Sequence, residues 1–166
     1  MNKKTVVIEI EEFERLSEMN GDDRMLLEKA VDATNNSYAP YSEFHVGAAV
    51  LLENGEIITA GNQENAAYPS GLCAERVALF YAKSKYPDTA VLSIAITAKS
   101  ENFSIEGPLP PCGSCRQVIA ETEKRQNKPI AIIMKGEKGP VHKVTGIESL
   151  LPFTFYEEKL KKKNRG

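Results

Sequence analysis

The chain reads as a layered α/β domain built on one sheet, and two observations carry that expectation. Val46 to Leu52 and Ile57 to Ala60 are strand-like and flank Glu53-Asn54-Gly55-Glu56, whose Asn-Gly pair favours a tight hairpin turn, so the sheet begins with an antiparallel pair. Beyond that hairpin, apolar strand-like runs alternate with segments of helical period.

Taken in order, Thr5 to Ile10 alternates loosely and Glu9 to Glu14 is acidic, which reads as an edge strand and a short helix. Asp22 is the expected N-cap of a helix reaching about Ser37, with Leu26, Leu27, Ala30 and Val31 as its apolar stripe and Tyr38-Ala39-Pro40-Tyr41 ending it. After the hairpin and a loop from Asn62 to Leu72, a helix from about Cys73 to Lys85 turns Val77, Ala78 and Tyr81 inward. Val91 to Ala98 then reads as a buried strand. Glu106 to Pro111, with three prolines and a glycine, is loop; a helix from about Cys112 to Arg125 and a strand from Ile130 to Met134 follow. A weak strand near Val141 to Val144 and a short helix from Ile147 toward the basic Lys159 to Arg165 end complete the chain.

With 166 residues the chain is one domain, long enough to bury a core without disulfides or structural metal. A net charge of -2 gives no electrostatic footprint for a polyanion, which favours small molecules over nucleic acid as partners. Val6-Val7-Ile8 is broken by Glu9, which leaves neither a signal-peptide core nor a membrane-spanning helix; the expected compartment is the cytosol.

All three cysteines fall in two short motifs, Cys73-Ala74-Glu75-Arg76 and Pro111-Cys112-Gly113-Ser114-Cys115. In a reducing compartment such spacings read as metal or catalytic sites before disulfides. Three thiolates are the count for a catalytic zinc with its fourth position open, whereas a closed structural site takes four. Both motifs sit at helix starts, where free N–H groups and the helix dipole depress thiol pKa values. Arg76 follows Cys73 by one helical turn and can donate to the thiolates, offsetting their charge. Glu75, two residues after Cys73, would point roughly 200° round the helix from it, a direction suited to a neighbour of the water that could exchange protons with it and with a substrate. Cys112 and Cys115 taken alone are also compatible with a redox pair or half a structural zinc knuckle, and Glu75 with Arg76 with a solvated pair.

With these motifs in place, the chain resembles the short, homotetrameric, three-cysteine cytidine deaminases. The resemblance runs from about Asp22 to Phe155 and includes Tyr38-Ala39-Pro40-Tyr41-Ser42, Phe44-His45-Val46-Gly47-Ala48-Ala49, Asn62-Gln63-Glu64-Asn65-Ala66, Tyr68 to Arg76, and Pro111 to Gln117. It implies a three-layer α/β/α fold with one mixed sheet of about five strands, with residues 1–21 as an extension, 22–156 as the catalytic domain and 157–166 as a basic tail. It further implies one zinc ion per subunit on Cys73, Cys112 and Cys115, and Glu75 as the proton carrier in converting cytidine and water to uridine and ammonia. Phe44 would lie against the pyrimidine, Asn62 and Glu64 would bind the ribose hydroxyls, and the Ala74 backbone would contact the base. Tyr68 and Phe155 would reach a neighbouring subunit's site.

Each substrate contact has a plainer reading: Phe44 as a core residue, Asn62 and Glu64 as turn residues, Tyr68 as loop packing. His45 and His142 lack partner spacing and read as non-ligands. Two features depart from the family pattern: the extension before Asp22, and the polar Ala120-Glu121-Thr122-Glu123-Lys124, where an aromatic residue is usual near Thr122. The rivals are a deaminase of a cytosine-containing antibiotic such as blasticidin, a deaminase of bases in RNA or DNA, motivated by the basic tail, and a binding module stapled by zinc.

Overall fold

The computed structural model describes residues 1–156, so the basic Lys159 to Arg165 end lies outside the described residues. The expected sheet has six strands rather than five, in the order β1 (Glu11–Phe13), β6 (Val141–Thr145), β5 (Ala131–Lys135), β4 (Val91–Ser100), β2 (Phe44–Leu52) and β3 (Ile57–Gly61). The β4–β5 pair is parallel and every other neighbouring pair antiparallel, which makes the sheet mixed. The Asn54-Gly55 turn forms as expected, with Gly55 at a φ of 85° and Glu56 N donating to Asn54 Oδ1 at 3.1 Å.

The additional strand comes from the N-terminal extension, three residues into what read as a short helix, while residues 5–10 form no regular element. The edge of β6 decides this: Phe13 pairs with Val141 and packs on the adjacent core, and His142 Nε2 meets Glu12 Oε2 at 2.6 Å. Tertiary pairing outweighs the loose alternation of the preceding residues. Toward the C-terminus, the helix expected from Ile147 is a single 3-10 turn at Ile147–Ser149.

Helix α1 (Gly21–Ala33) covers one sheet face, and α2 (Ala74–Lys85) and α3 (Gly113–Gln126) cover the other. Strand alternation divides the core accordingly. Ala49, Ala95 and Ile133 join Leu26, Leu27 and Ala30 beneath α1, whereas Ala48, Val50, Ile94, Ile96 and Ile132 meet Ala78, Leu79 and Ile119 of α2 and α3.

Several local expectations need correction. The N-cap of α1 is Asn20, whose Oδ1 accepts from Asp23 N at 2.8 Å; Asp22 falls inside the first turn, where acidic residues favour the dipole. The helix stops at Ala33 and tightens into a 3-10 turn, Thr34–Asn36. Val31 and Tyr81 are exposed. In α2 the inward ridge is Ala74, Ala78 and Ala82 with Leu79, and Tyr81 falls to one side of it, about 60° from Ala78 and about 100° from Ala82.

The end of α1 crosses the β2–β3 hairpin where two cross-strand partners are both glycine, Gly47 and Gly61. A Cβ on Gly47 would stand 2.0 Å from Ala30 O, and one on Gly61 would stand 2.6 Å from Ser37 N. These glycines admit the close approach of the backbone at Ala30, Thr34, Asn36 and Ser37. In α3, the polar residues that depart from the family pattern are structurally occupied. Thr122 donates to Val118 O at 2.8 Å, and Glu123 Oε1 accepts from Ile130 N at 2.8 Å and Ile147 N at 3.0 Å. Gln126 closes the helix end by a pair of 2.9 Å bonds to the backbone N–H and C=O of Val91.

Among the described residues, no helix is long and apolar enough to cross a membrane.

Candidate metal centre and cavity

Helices α2 and α3 begin side by side, each from a cysteine. Cys73 and Cys112 are the N-cap residues, in extended backbone conformation, and neither side chain is used to cap its helix. Their carbonyls open the helical ladders, accepting from Val77 N at 3.1 Å and Arg116 N at 2.9 Å, so the thiols remain available. Cys115, one turn into α3, is buried.

The three sulfurs lie within 4.8 Å of one another, with Cys73–Cys112 at 3.8 Å and Cys112–Cys115 at 3.5 Å. Sulfurs bonded to one tetrahedral zinc stand about 3.8 Å apart, given zinc–sulfur bonds of about 2.3 Å. The donor set and its spacing therefore fit zinc. The cysteines expected to act together are together, and the redox or half-knuckle readings of Cys112 and Cys115 omit the third thiol beside them.

Electrostatics are arranged around this cluster. Hydrogen bonds from Cys115, Arg76 and Cys112 hold the Cys73 thiol down at about 5 against the opposing effect of burial. The Cys115 thiol is pushed upward, first by its hydrogen bond to Cys73 and then by burial and the nearby Glu75 charge. Arg76 Nη2 donates to Cys73 Sγ at 3.8 Å and to Gly71 O at 3.4 Å. Burial disfavours the guanidinium charge, but the three cysteines outweigh it and raise the Arg76 pKa.

Glu75 is only 4% exposed, and burial raises its pKa, assisted by the Cys73 charge. Its Oε2 is buried without a hydrogen-bond partner among the described residues. Cys73 is the cap of α2, one position before the helix proper. Glu75 occupies the first turn of α2, close enough to the cluster to interact with Cys73 and Cys115.

A cavity of about 610 Å³ opens onto this group. Cys73, Glu75, Arg76 and Cys112 form part of its wall, and Phe44, Val46, Asn62, Glu64, Tyr68 and Leu109 are among the other lining residues. Asn62 ties β2 to β3: its Oδ1 accepts from Val46 N at 2.8 Å and its Nδ2 donates to Phe44 O at 3.0 Å. Glu64 gathers the preceding loop, accepting from Tyr41 N at 2.9 Å and from Ser42 Oγ at 2.5 Å; the Ser42 hydroxyl chiefly keeps its pKa low. Tyr68 stands at the rim, 80% exposed.

Ala74 is fully buried in the core at the start of α2, and Phe155 is exposed, with its carbonyl accepting from Gln117 Nε2 at 2.9 Å; neither side chain lines this cavity. Sequence reasoning overlooked Leu109 as a wall residue, its sole signal being its place in the proline-rich loop before Cys112. His45 and His142 lie away from the sulfurs, hydrogen-bonded to Ser37 at 2.6 Å and Glu12 at 2.6 Å.

Comparison with known proteins agrees with this geometry. The family described as the cytidine and deoxycytidylate deaminase zinc-binding region matches residues 20–128, which contain all three cysteines. A cytidine deaminase of Halalkalibacterium halodurans is 39% identical over 137 residues, covering 82% of this chain and 96% of that relative. One of Sporosarcina psychrophila is 39% identical over 135 residues, covering 81% and 92%. Among solved structures, the cytidine deaminase of Burkholderia pseudomallei superposes with a TM-score of 0.68 at 33% identity, covering 82% of this chain and 100% of that one. The Mycobacterium tuberculosis enzyme gives 0.63 at 30% identity, covering 83% and 100%. Sequence, fold and sulfur cluster agree: the chain belongs to the cytidine deaminase family, in its short, three-cysteine zinc type.

Proposed function

We propose that this enzyme hydrolyses cytidine and 2′-deoxycytidine to uridine and 2′-deoxyuridine, releasing ammonia, as a cytosolic step in pyrimidine salvage. The observation that carries the reading is Glu75, a buried carboxyl with one unpartnered oxygen in the wall of a cavity beside three zinc-spaced thiols.

Cys73, Cys112 and Cys115 would hold the ion, and Arg76 would moderate their combined charge. Zinc, when bound, supplies a Lewis acid that makes water a nucleophile at neutral pH. Glu75 would take up a proton at its carboxylate and deliver it to the ring nitrogen beside the carbon under attack, then carry a second proton to the departing amine. A carboxyl whose pKa is raised by burial suits both acceptance and donation near neutrality. Water supplies the new carbonyl oxygen, one of its protons stays on the ring nitrogen and the other leaves with the amine as ammonia, so atoms balance without a redox partner.

Phe44 packs against the base and the Ala74 backbone contacts it. Glu64 accepts from the ribose hydroxyls, and Asn62 holds the strand ends that frame them. Tyr68, at the rim, and Phe155, outside the cavity of its own chain, are suited to completing a neighbouring subunit's site in a homotetramer. Residues 22–156 form the catalytic domain, with 1–21 an extension and 157–166 a tail.

Arg76, the one Lys or Arg among the described lining residues, is turned toward the cysteines, and Glu64 is a carboxylate. Both facts favour the nucleoside over its 5′-monophosphate.

The test follows the ultraviolet band of cytidine with wild type and Glu75→Gln, each assayed for zinc. Loss of the band with wild type alone, with zinc in both, is expected. A zinc-loaded wild type that leaves cytidine, 2′-deoxycytidine and the monophosphate unchanged would overturn the reading, and turnover of the monophosphate alone would transfer it to a nucleotide deaminase.

A further inference from the structure

The loop after β4 meets the start of β2 through two adjacent pairs of residues. Asn102 Nδ2 donates to Glu43 Oε2 at 2.9 Å, and the next residue, Phe103, stacks on Phe44 with ring centroids 6.1 Å apart and planes inclined by 27°. Glu101 N also donates to Glu43 O at 3.4 Å, and Asn102 N to Ser100 Oγ at 3.2 Å. On the far side of Phe103, Ile105 N donates to Glu137 Oε2 at 2.9 Å, and the backbones of Glu106 and Lys138 form an isolated parallel β-bridge. The loop is thus tied to the body on both sides of the ring.

Glu43 has a φ of 53°, a left-handed conformation that a non-glycine residue adopts at some cost and that surrounding contacts must hold. The Asn102 bond and the Phe103 stack hold consecutive residues, Glu43 and Phe44, at this strained entry to the strand. Phe103 is 58% exposed and lies outside both core clusters, so its packing adds little to the fold. Its ring partner, however, lines the cavity.

We propose that Phe103 is a positioning residue for the substrate base, acting through Phe44: the stacked ring restricts Phe44 so that its cavity-facing surface is ordered before the pyrimidine arrives. The inference rests on the reading of Phe44 as the ring that packs on the base. Ordering a side chain beforehand removes that cost from binding, and an aromatic pair of this kind corresponds to about a two- to tenfold effect.

The experiment measures kcat and KM for cytidine in the zinc-loaded wild type, Phe103→Ala, Phe103→Tyr, Asn102→Ala, Phe44→Ala and the Phe44→Ala/Phe103→Ala double variant, with assembly size followed by light scattering. Expected are a KM about three- to tenfold higher for Phe103→Ala, kcat within about twofold of wild type and unchanged assembly. Phe103→Tyr restores KM, Asn102→Ala raises it, and the double variant is no weaker than Phe44→Ala. An unchanged KM in Phe103→Ala while Phe44→Ala raises it strongly would overturn the proposal and leave the stacking role of Phe44 standing. So would an undiminished Phe103 effect in the double variant, or an effect that follows a change of assembly size. An unchanged KM in Phe44→Ala would remove the underlying reading itself.

Discussion

One nitrogen of Arg76, Nη2, serves both Cys73 Sγ and the Gly71 carbonyl, at 3.8 Å and 3.4 Å. The guanidinium therefore couples the loop entering α2 to the sulfur cluster. Groups that hold and neutralise metal ligands typically contribute about 10- to 100-fold in metal affinity. Arg76→Gln should lose zinc to a competing chelator at about tenfold lower chelator concentration than wild type. Equal retention in both proteins would reduce the Arg76–Cys73 contact to a structural one.

Asn62 satisfies backbone groups at two positions on β2. Removing it strands Val46 N and Phe44 O, and an unmet buried polar group costs about 1–3 kcal/mol. Asn62→Ala should melt about 3 to 9 °C lower and raise KM for cytidine. An unaltered melting temperature with a raised KM would assign Asn62 to the substrate alone.

The glycine pair under the end of α1 predicts an asymmetry among small substitutions. Gly47→Ala drives a methyl to 2.0 Å from Ala30 O, with Thr34 N at 2.9 Å, and overpacking of this kind costs about 1–3 kcal/mol. Its melting temperature should fall by about 3 to 10 °C. Gly21→Ala, at the first position of α1 with nothing within 4 Å of the new methyl, should hold or rise slightly. Thermal melts of the two variants check the contrast, and an equal fall in both would refute it.

Glu123 provides a pH test away from the metal centre. Burial raises its pKa in the folded chain against the help of the Ile130 and Ile147 amides, with Glu148 adding to the rise. A carboxyl raised on folding contributes stability below its unfolded pKa, and this contribution is lost as pH rises through its folded pKa. Glu123→Gln keeps an oxygen for the two amides and removes the charge. The melting temperature of the variant minus that of wild type should therefore be more positive at pH 7 than at pH 4, by about 1 to 3 °C. A flat or opposite trend would show that the amides outweigh burial.

The hairpin, the alternating strands and all three cysteines were legible because each has a local signature: Asn54-Gly55, runs of β-branched residues, and two spaced motifs. Glu75 was legible as a residue, but its burial and its unpartnered oxygen were not. Whether Cys73 belongs to the helix or caps it turns on one residue of helix boundary, which local propensity does not fix. β1 was misplaced because its position depends on where Phe13 can reach the core beside Val141, a contact 128 residues away along the chain. Phe103 was missed for the same reason, since nothing local in Asn102-Phe103-Ser104 announces the ring 59 residues earlier.

The N-terminal strand also bears on how molecules meet one another. Without it β6 would present an open row of amides and carbonyls, the usual template for strand addition between chains. Covering it with Glu11-Glu12-Phe13 leaves a new edge only three residues long that carries two carboxylates. A second molecule pairing along that edge would have to align its strand beside Glu11 and Glu12, and a matching acidic edge would be repelled. The extension thus ends the sheet with a short charged border, and that border works against sheet-to-sheet aggregation in concentrated solution.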